Sequence, residues 1–268
     1  FARDQPFNTE MSDSTYTSVF DPLLPTQPGQ RLTWGRLPGA STGLIVAEAA
    51  RKHAGLVVAV TADTASADRL EAELRVFAGK LPVYAFPDWE TLPYDVFSPH
   101  PDIVSRRLWT LSRLPDLDKG ILVVPVANLL QRLTPRQYID ASSLLLNVGE
   151  TLDLDATRRR LESSGYHCVP QVVEHGDFAV RGSILDLYPT GADLPYRIDL
   201  FDNEVESIRT FDPETQRSLD KVEKVELLPA REFPFTEAAI RQFRQAWRST
   251  FEGDPQRSQI YREVTNGI

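Results

Sequence analysis

Gly39, Ser41, Thr42 and Gly43, within WGRLPGASTGLIVAEAA (34–50), stand where a nucleotide-binding loop would lead into a first helix. A phosphate loop of the form G-x-x-x-x-G-K-[ST] needs backbone N–H groups to cradle phosphate, a lysine on the β- and γ-phosphates and a hydroxyl on magnesium. Here the glycines and hydroxyls are present but no lysine is, and Arg36 precedes the Gly39 turn, where it is poorly placed to replace one. The segment reads as a degenerate phosphate loop with weak or no ATP binding. A glycine-rich connection into a helix is the plainer account, and a weak ATPase is the alternative. The histidines His53, His100, His167 and His175 include no pair at i, i+4, and Cys168 has no second cysteine, so no metal site is expected. Glu174-His175 reads as a turn before a strand rather than an acid–base pair, and no G-x-S-x-G elbow occurs. No catalytic residue is assigned, and the chain is not expected to be an enzyme.

A second group of residues points to recognition. HGDFAVRGSILDLYPTG (175–191) and LPYRIDLFDNEVESIRTFD (194–212) read as paired short strands, yet they carry Arg181, Arg197 and Phe201. Strand side chains alternate in facing. Tyr196, Ile198 and Leu200 therefore share one face, and Arg197, Asp199 and Phe201 the other. Asp202-Asn203 fits a two-residue turn, which sets Phe201 opposite Glu204, Asp199 opposite Glu206 and Arg197 opposite Ile208. In the first segment Asp177, Ala179 and Arg181 share a face, with Phe178 and Val180 on the other. A large aromatic among charges either packs under a neighbouring loop or anchors a partner, since interfaces concentrate Arg and aromatic residues. The plain account of the two arginines is a surface ion pair with Asp199, Glu204 or Glu206, worth little to stability. Pattern alone leaves both readings open: the arginines face water or a partner, not the core. Trp89, Tyr94 and Phe97, in PDWETLPYDVFSPHPD (87–102), form a third group. Such aromatics either stack on bases or, more commonly, plug a loop against its own domain.

The elements that must position these groups follow from periodicity. A helix is predicted over Ser41 to His53, then a buried strand in LVVAVTAD (56–63), whose unbroken apolar run suits a parallel sheet. Ala67, Leu70, Leu74 and Phe77 mark one face of a second helix. PVYAF (82–86) is a strand, Asp102 to Leu114 a helix with Ile103, Arg107, Leu111 and Leu114 in step, and ILVVPVANLLQRL (121–133) a strand running into a short helix. This alternation predicts an open parallel α/β sheet. After Pro135 the rhythm changes. SLLLNVGE (143–150) is a strand, and a helix near Asp155 to Ser164 ends at Gly165. Short strands follow at 167–173, 177–181, 183–188, 195–201, 204–210 and about 221–228, separated by turn residues, which predicts an antiparallel α+β domain. An amphipathic helix runs from Thr236 towards Phe251 with Ile240, Phe243 and Trp247 on one side, and the last segment reads as the start of something longer.

The 268 residues, 41% hydrophobic and 25% charged, suffice for two domains. No run of about 18 apolar residues occurs, so no spanning helix and no membrane partner are expected. The N-terminal stretch lacks the apolar core of a signal peptide. Met11 is the sole methionine, which marks residues 1–10 as a candidate expression leader. A single cysteine fits a reducing cytoplasm. The net charge of −9, without a Lys/Arg-rich run, disfavours a direct grip on DNA backbone.

Taken together, FPDWETLPYDVFSPHPDIVSRRL, GILVVPVANLLQRL, EHGDFAVRGSILDLYPTG and LPYRIDLFDNEVESIRTFDPETQRS resemble the N-terminal module of the bacterial transcription-repair coupling factor (Mfd) family and, more loosely, the excision-repair protein UvrB. The resemblance covers nearly all of residues 30–255. It implies an α/β fold: a parallel-sheet, P-loop-like domain with a degenerate nucleotide site, split by an inserted α+β domain rich in antiparallel strands. The boundaries it implies are a flexible lead-in (1–29), the first part of the α/β domain (30–135), the inserted domain (142–229) and a truncated return (230–268). It implies that Arg181, Arg197 and Phe201 contact UvrA and that the module is non-catalytic. UvrB has an intact phosphate loop and a DNA-inserting aromatic hairpin. Here the lysine is missing, and the stretch between Asp88 and Arg106 is too short for that hairpin. No cofactor is expected in this chain. ATP and Mg would belong to a motor elsewhere in the parent, which would engage RNA polymerase and DNA through other domains and mask the inserted domain with its C-terminal domain. A UvrB-like damaged-DNA-binding module is the further alternative.

Overall fold

The computed structural model of the chain describes residues 18–91 and 97–267. The candidate leader and Tyr94 lie outside the described residues. In chain order the first elements are α1 (Ser41–Lys52), β1 (Leu56–Thr61), α2 (Thr64–Phe77), β2 (Val83–Ala85), α3 (Pro101–Arg113) and β3 (Gly120–Pro125). Next come α4 (Arg136–Ser142), β4 (Leu144–Asn147), α5 (Leu154–Ser163), β5 (His167–Cys168), β6 (Asp177–Arg181), β7 (Ile184–Leu187), β8 (Tyr196–Phe201) and β9 (Glu204–Phe211). The chain continues through β10 (Ser218–Val222), β11 (Lys224–Leu227), α6 (Glu237–Thr250) and α7 (Gln259–Asn266). Two compact units result. One holds the described residues up to Tyr84 with Asp118–Val124; the other holds Ala85–Leu117 and the described residues from Pro125 onward.

In the first unit β1, β3 and β2 form a parallel sheet in that order, as the alternation of elements predicts. The carboxylate of Asp63 starts α2 by accepting from the Ser66 N–H at 2.7 Å, so one of the helix's orphan donors is satisfied. Ala67, Leu70 and Leu74 then face the sheet with Ala47 and Ala50 of α1, over Ile121 and Val123 of β3.

In the second unit a six-stranded sheet runs β10-β9-β8-β7-β6-β5, and β11 pairs with β4 apart from it. Neighbours in the larger sheet are antiparallel except β5 and β6. The expected strand at 221–228 is two strands in two sheets, with the exposed Glu223 at the switch between Val222 and Lys224. The strand expected at 167–173 is confined to His167–Cys168. The short helices α4 and α7 escaped the sequence reading. One face of the large sheet buries Phe178, Leu185, Leu187, Ile198, Leu200, Val205 and Ile208 against Leu161 of α5, Leu146 of β4 and Val225 and Leu227 of β11. Burial of this apolar surface stabilises the unit by about 25 cal/mol per Å² removed from water. The opposite sheet face carries a smaller apolar cluster and charged side chains.

Candidate partner-docking site

The second face is set by one extra residue in β9. Val205 and Ile208 are both buried in the core, yet they stand three apart, which strict alternation forbids. The register resolves the conflict. Leu200 pairs with Val205 and Phe201 with Glu204, whereas Asp199 pairs with Ser207 and Arg197 with Arg209, so Glu206 is bulged out. The Phe201–Glu204 pairing around Asp202-Asn203 agrees with the sequence reading, and both turn residues have positive φ, 47° and 70°, as a type I′ hairpin requires. The expected pairings of Asp199 with Glu206 and of Arg197 with Ile208 are corrected by the bulge. The bulge also turns Arg209 and Phe211 onto the arginine face.

That face reads in rows across the strands. Ala179, Asp186, Arg197 and Arg209 are directly opposed in one row, and Arg181, Ile184, Asp199 and Ser207 in the next. Phe201 and Glu204 follow. Asp186 is completely buried and holds both candidate arginines. Arg197 forks onto it, Nε donating to Oδ1 at 2.8 Å and Nη2 to Oδ2 at 2.9 Å, while Arg181 donates from Nη2 to Oδ2. The Arg197 guanidinium lies 4.8 Å over the Phe211 ring, and Nη1 donates to the Gln216 carbonyl at 3.2 Å. The hydrogen bond to Asp186 raises the Arg197 pKa above the usual arginine value. Neither Asp199, Glu204 nor Glu206 is the main counter-ion, and Arg197 is neither free in water nor in the main core. Its side chain is 17% exposed, that of Arg181 51%. A small apolar cluster of Val172, Ala179 and Phe211, with Val169 and Tyr188, closes this end of the face. The far end is open: Phe201 is 69% exposed. Alternation along β7 puts Asp186 on the face opposite the buried Leu185 and Leu187, the face the arginines share, a signal the sequence reading passed over.

The segment that the sequence suggests as a degenerate phosphate loop has a different fate. Gly39 adopts φ 55° ahead of α1, and Ser41 and Thr42 open the helix. Helix N-termini attract anions because their N–H groups lack intrahelical partners. Here the chain supplies its own anion: the Gly43 N–H donates to Glu73 Oε2 of α2 at 3.1 Å. A side chain on Gly43 would sit 2.5 Å from Glu73 Cβ, so the two helices meet where only glycine fits.

The aromatic loop is partly tied down. Trp89 Nε1 donates to Glu232 at 2.5 Å, and Arg107, buried in α3, donates to the same carboxylate at 2.7 Å and lies over the Phe86 and Trp89 rings. Phe97 is exposed. His175 is bolted between Asp102 (2.7 Å) and the Ala192 carbonyl (2.8 Å) rather than paired with Glu174. Among the described residues no cluster of His, Cys, Asp or Glu fits a metal ion, and no helix is long and apolar enough to cross a membrane.

Residues 144–233, which hold the whole arginine face, match the family described as UvrB interaction domain. The chain is 47% identical over 244 residues to the transcription-repair-coupling factor of Escherichia coli (strain K12), covering 91% of this chain and 21% of that protein. The chain is a UvrB-like module of the transcription-repair-coupling-factor family. The coupling factor of Haemophilus influenzae is 46% identical over 94% of this chain and 22% of its own length. That of Staphylococcus aureus (strain Mu50) is 32% identical over 88% and 20%. The chain spans about a fifth of the length of these coupling factors.

Proposed function

We propose that this chain is a non-catalytic docking module that recruits UvrA to RNA polymerase stalled at DNA lesions, in transcription-coupled nucleotide excision repair. The observation that carries the reading is the exposed Phe201 ring on the same sheet face as the half-exposed Arg181 guanidinium, inside the segment matching a UvrB interaction domain. Arg181 and Phe201 are two strands and two residues apart, about 10 Å across the sheet and about 7 Å along it. That separation fits the centre of one interface of about 1,200–2,000 Å² in total, where arginine and aromatic anchors concentrate. RNA polymerase, DNA and ATP-driven translocation belong to other parts of a longer protein of this family, and the work proposed here is cytoplasmic. The chain itself works without nucleotide: the lysine is absent from the loop and Glu73 holds the N–H a phosphate would take.

Calorimetric titration with UvrA tests the reading. Arg181→Ala and Phe201→Ala are each expected to weaken binding by about 1–4 kcal/mol. Undiminished binding by the double variant sinks the proposal.

A further inference from the structure

Asp186 is the charge on this face that most needs an account. A carboxylate stripped of water costs several kcal/mol unless cations and hydrogen bonds replace the solvent. Two guanidiniums do so here, from strands on either side: Arg181 on β6 and Arg197 on β8 flank Asp186 on β7. Their exposures divide the roles. Arg197 is engaged through Nε, Nη1 and Nη2, with Phe211 beneath it and the Gln216 carbonyl and Ser218 hydroxyl beyond. Arg181 is held at Asp186 through Nη2 and half its side chain meets solvent, so its outward edge is presented in a fixed direction.

We infer that Asp186 is the positioning residue of the docking face, orienting Arg181 as the outward donor to the partner while Arg197 acts through Asp186 as a brace rather than as a contact. The inference rests on the docking reading above. It extends that reading to a residue no solvent reaches, and so to one that touches no partner. Fixing a long side chain before association removes part of the ordering cost that binding would otherwise carry.

The test is a double-mutant cycle in the 268-residue chain, read by UvrA affinity, with circular dichroism and thermal melting as the check on folding. Asp186→Asn keeps the shape and removes the charge; it is expected to weaken binding about tenfold in the unaltered background and to add little in the Arg181→Ala background, because coupled residues are not additive. An equal loss in both backgrounds, or none in either, overturns the inference. Should Asp186→Asn fail to fold, Arg197→Lys asks the same question. It keeps the cation and loses the two-pronged fork. A loss of binding that vanishes in the Arg181→Ala background supports the brace; a loss that persists there makes Arg197 a direct contact and overturns it. Undiminished binding by Arg197→Lys overturns it as well. If Arg181→Ala and Phe201→Ala both bind UvrA normally, the docking reading itself has failed. If they lose binding while Asp186→Asn does not, only this inference has.

Discussion

At the scale of single residues, the same side-chain type does opposite work at neighbouring positions. Arg181 is half in water, Arg197 is largely enclosed, and Arg107 is 1% exposed between two aromatic rings. Their surroundings, not their types, separate them. Alternation along β7 was enough to put Asp186 on the arginine face. Which cation it takes depends on the cross-strand register, and a single sequence does not carry that information directly. Glu73 was harder still, since its contact with Gly43 joins residues 30 apart in the chain through packing of α1 on α2. Gly43 decides between two effects. Alanine gains about 1 kcal/mol of helix propensity over glycine. Overpacking at a rigid contact costs about 1–3 kcal/mol, and the nearest atom here is Glu73 Cβ at 2.5 Å, not the end of a flexible chain. Gly43→Ala is therefore expected to destabilise the first unit, seen as a lower urea midpoint; a higher midpoint would show that the helices part without penalty.

At the scale of elements, the long periodic segments were legible and the short irregular ones were not. The helices α1, α2, α3, α5 and α6 and the parallel sheet follow from apolar spacing and end signals, including Gly165 at φ 94° after α5. The switch at Glu223 was not legible, because an exposed residue between two short strands has no periodic signature. The turn between β9 and β10 shows how an element supports the site. Asp212 accepts from the Glu214 N–H at 3.0 Å and from the Thr215 N–H at 2.7 Å, and the turn so fixed delivers the Gln216 carbonyl to Arg197. These hydrogen bonds, that of the Thr215 N–H foremost, hold the Asp212 pKa below its ordinary 3.8. A depressed carboxylate contributes fully above the unfolded value and loses its contribution as pH falls through the folded one. The turn is thus expected to hold unchanged from pH 7 down to about 4 and to loosen only in stronger acid. Faster amide exchange at Thr215 below that range is the readout; loosening already near pH 5.5 would assign the effect to another group.

At the scale of the whole molecule, an acidic chain of net charge −9 carries the half-exposed Arg181 on the face proposed for docking. Two electrostatic effects then compete. On the proposed docking reading, repulsion of an acidic partner by the body of the chain would act over long distances, and attraction at Arg181 would act at contact. With a Debye length of about 10 Å at 0.1 M salt, the long-range part is screened first and the exposed contact later. If contact dominates, UvrA affinity is expected to fall steadily as salt rises from about 0.05 to about 0.5 M. An affinity that climbs over that range would place the repulsion above the arginine contact. The bulged Glu206 has a consequence of its own. Removing it would restore strict alternation from Val205 to Ile208 while leaving every neighbour on its present side. Chemistry and curvature are therefore separable in this sheet: a bulge bends and twists the strand that carries it, and the one between the Phe201 row and the arginine rows is written into the chain as one countable amino acid.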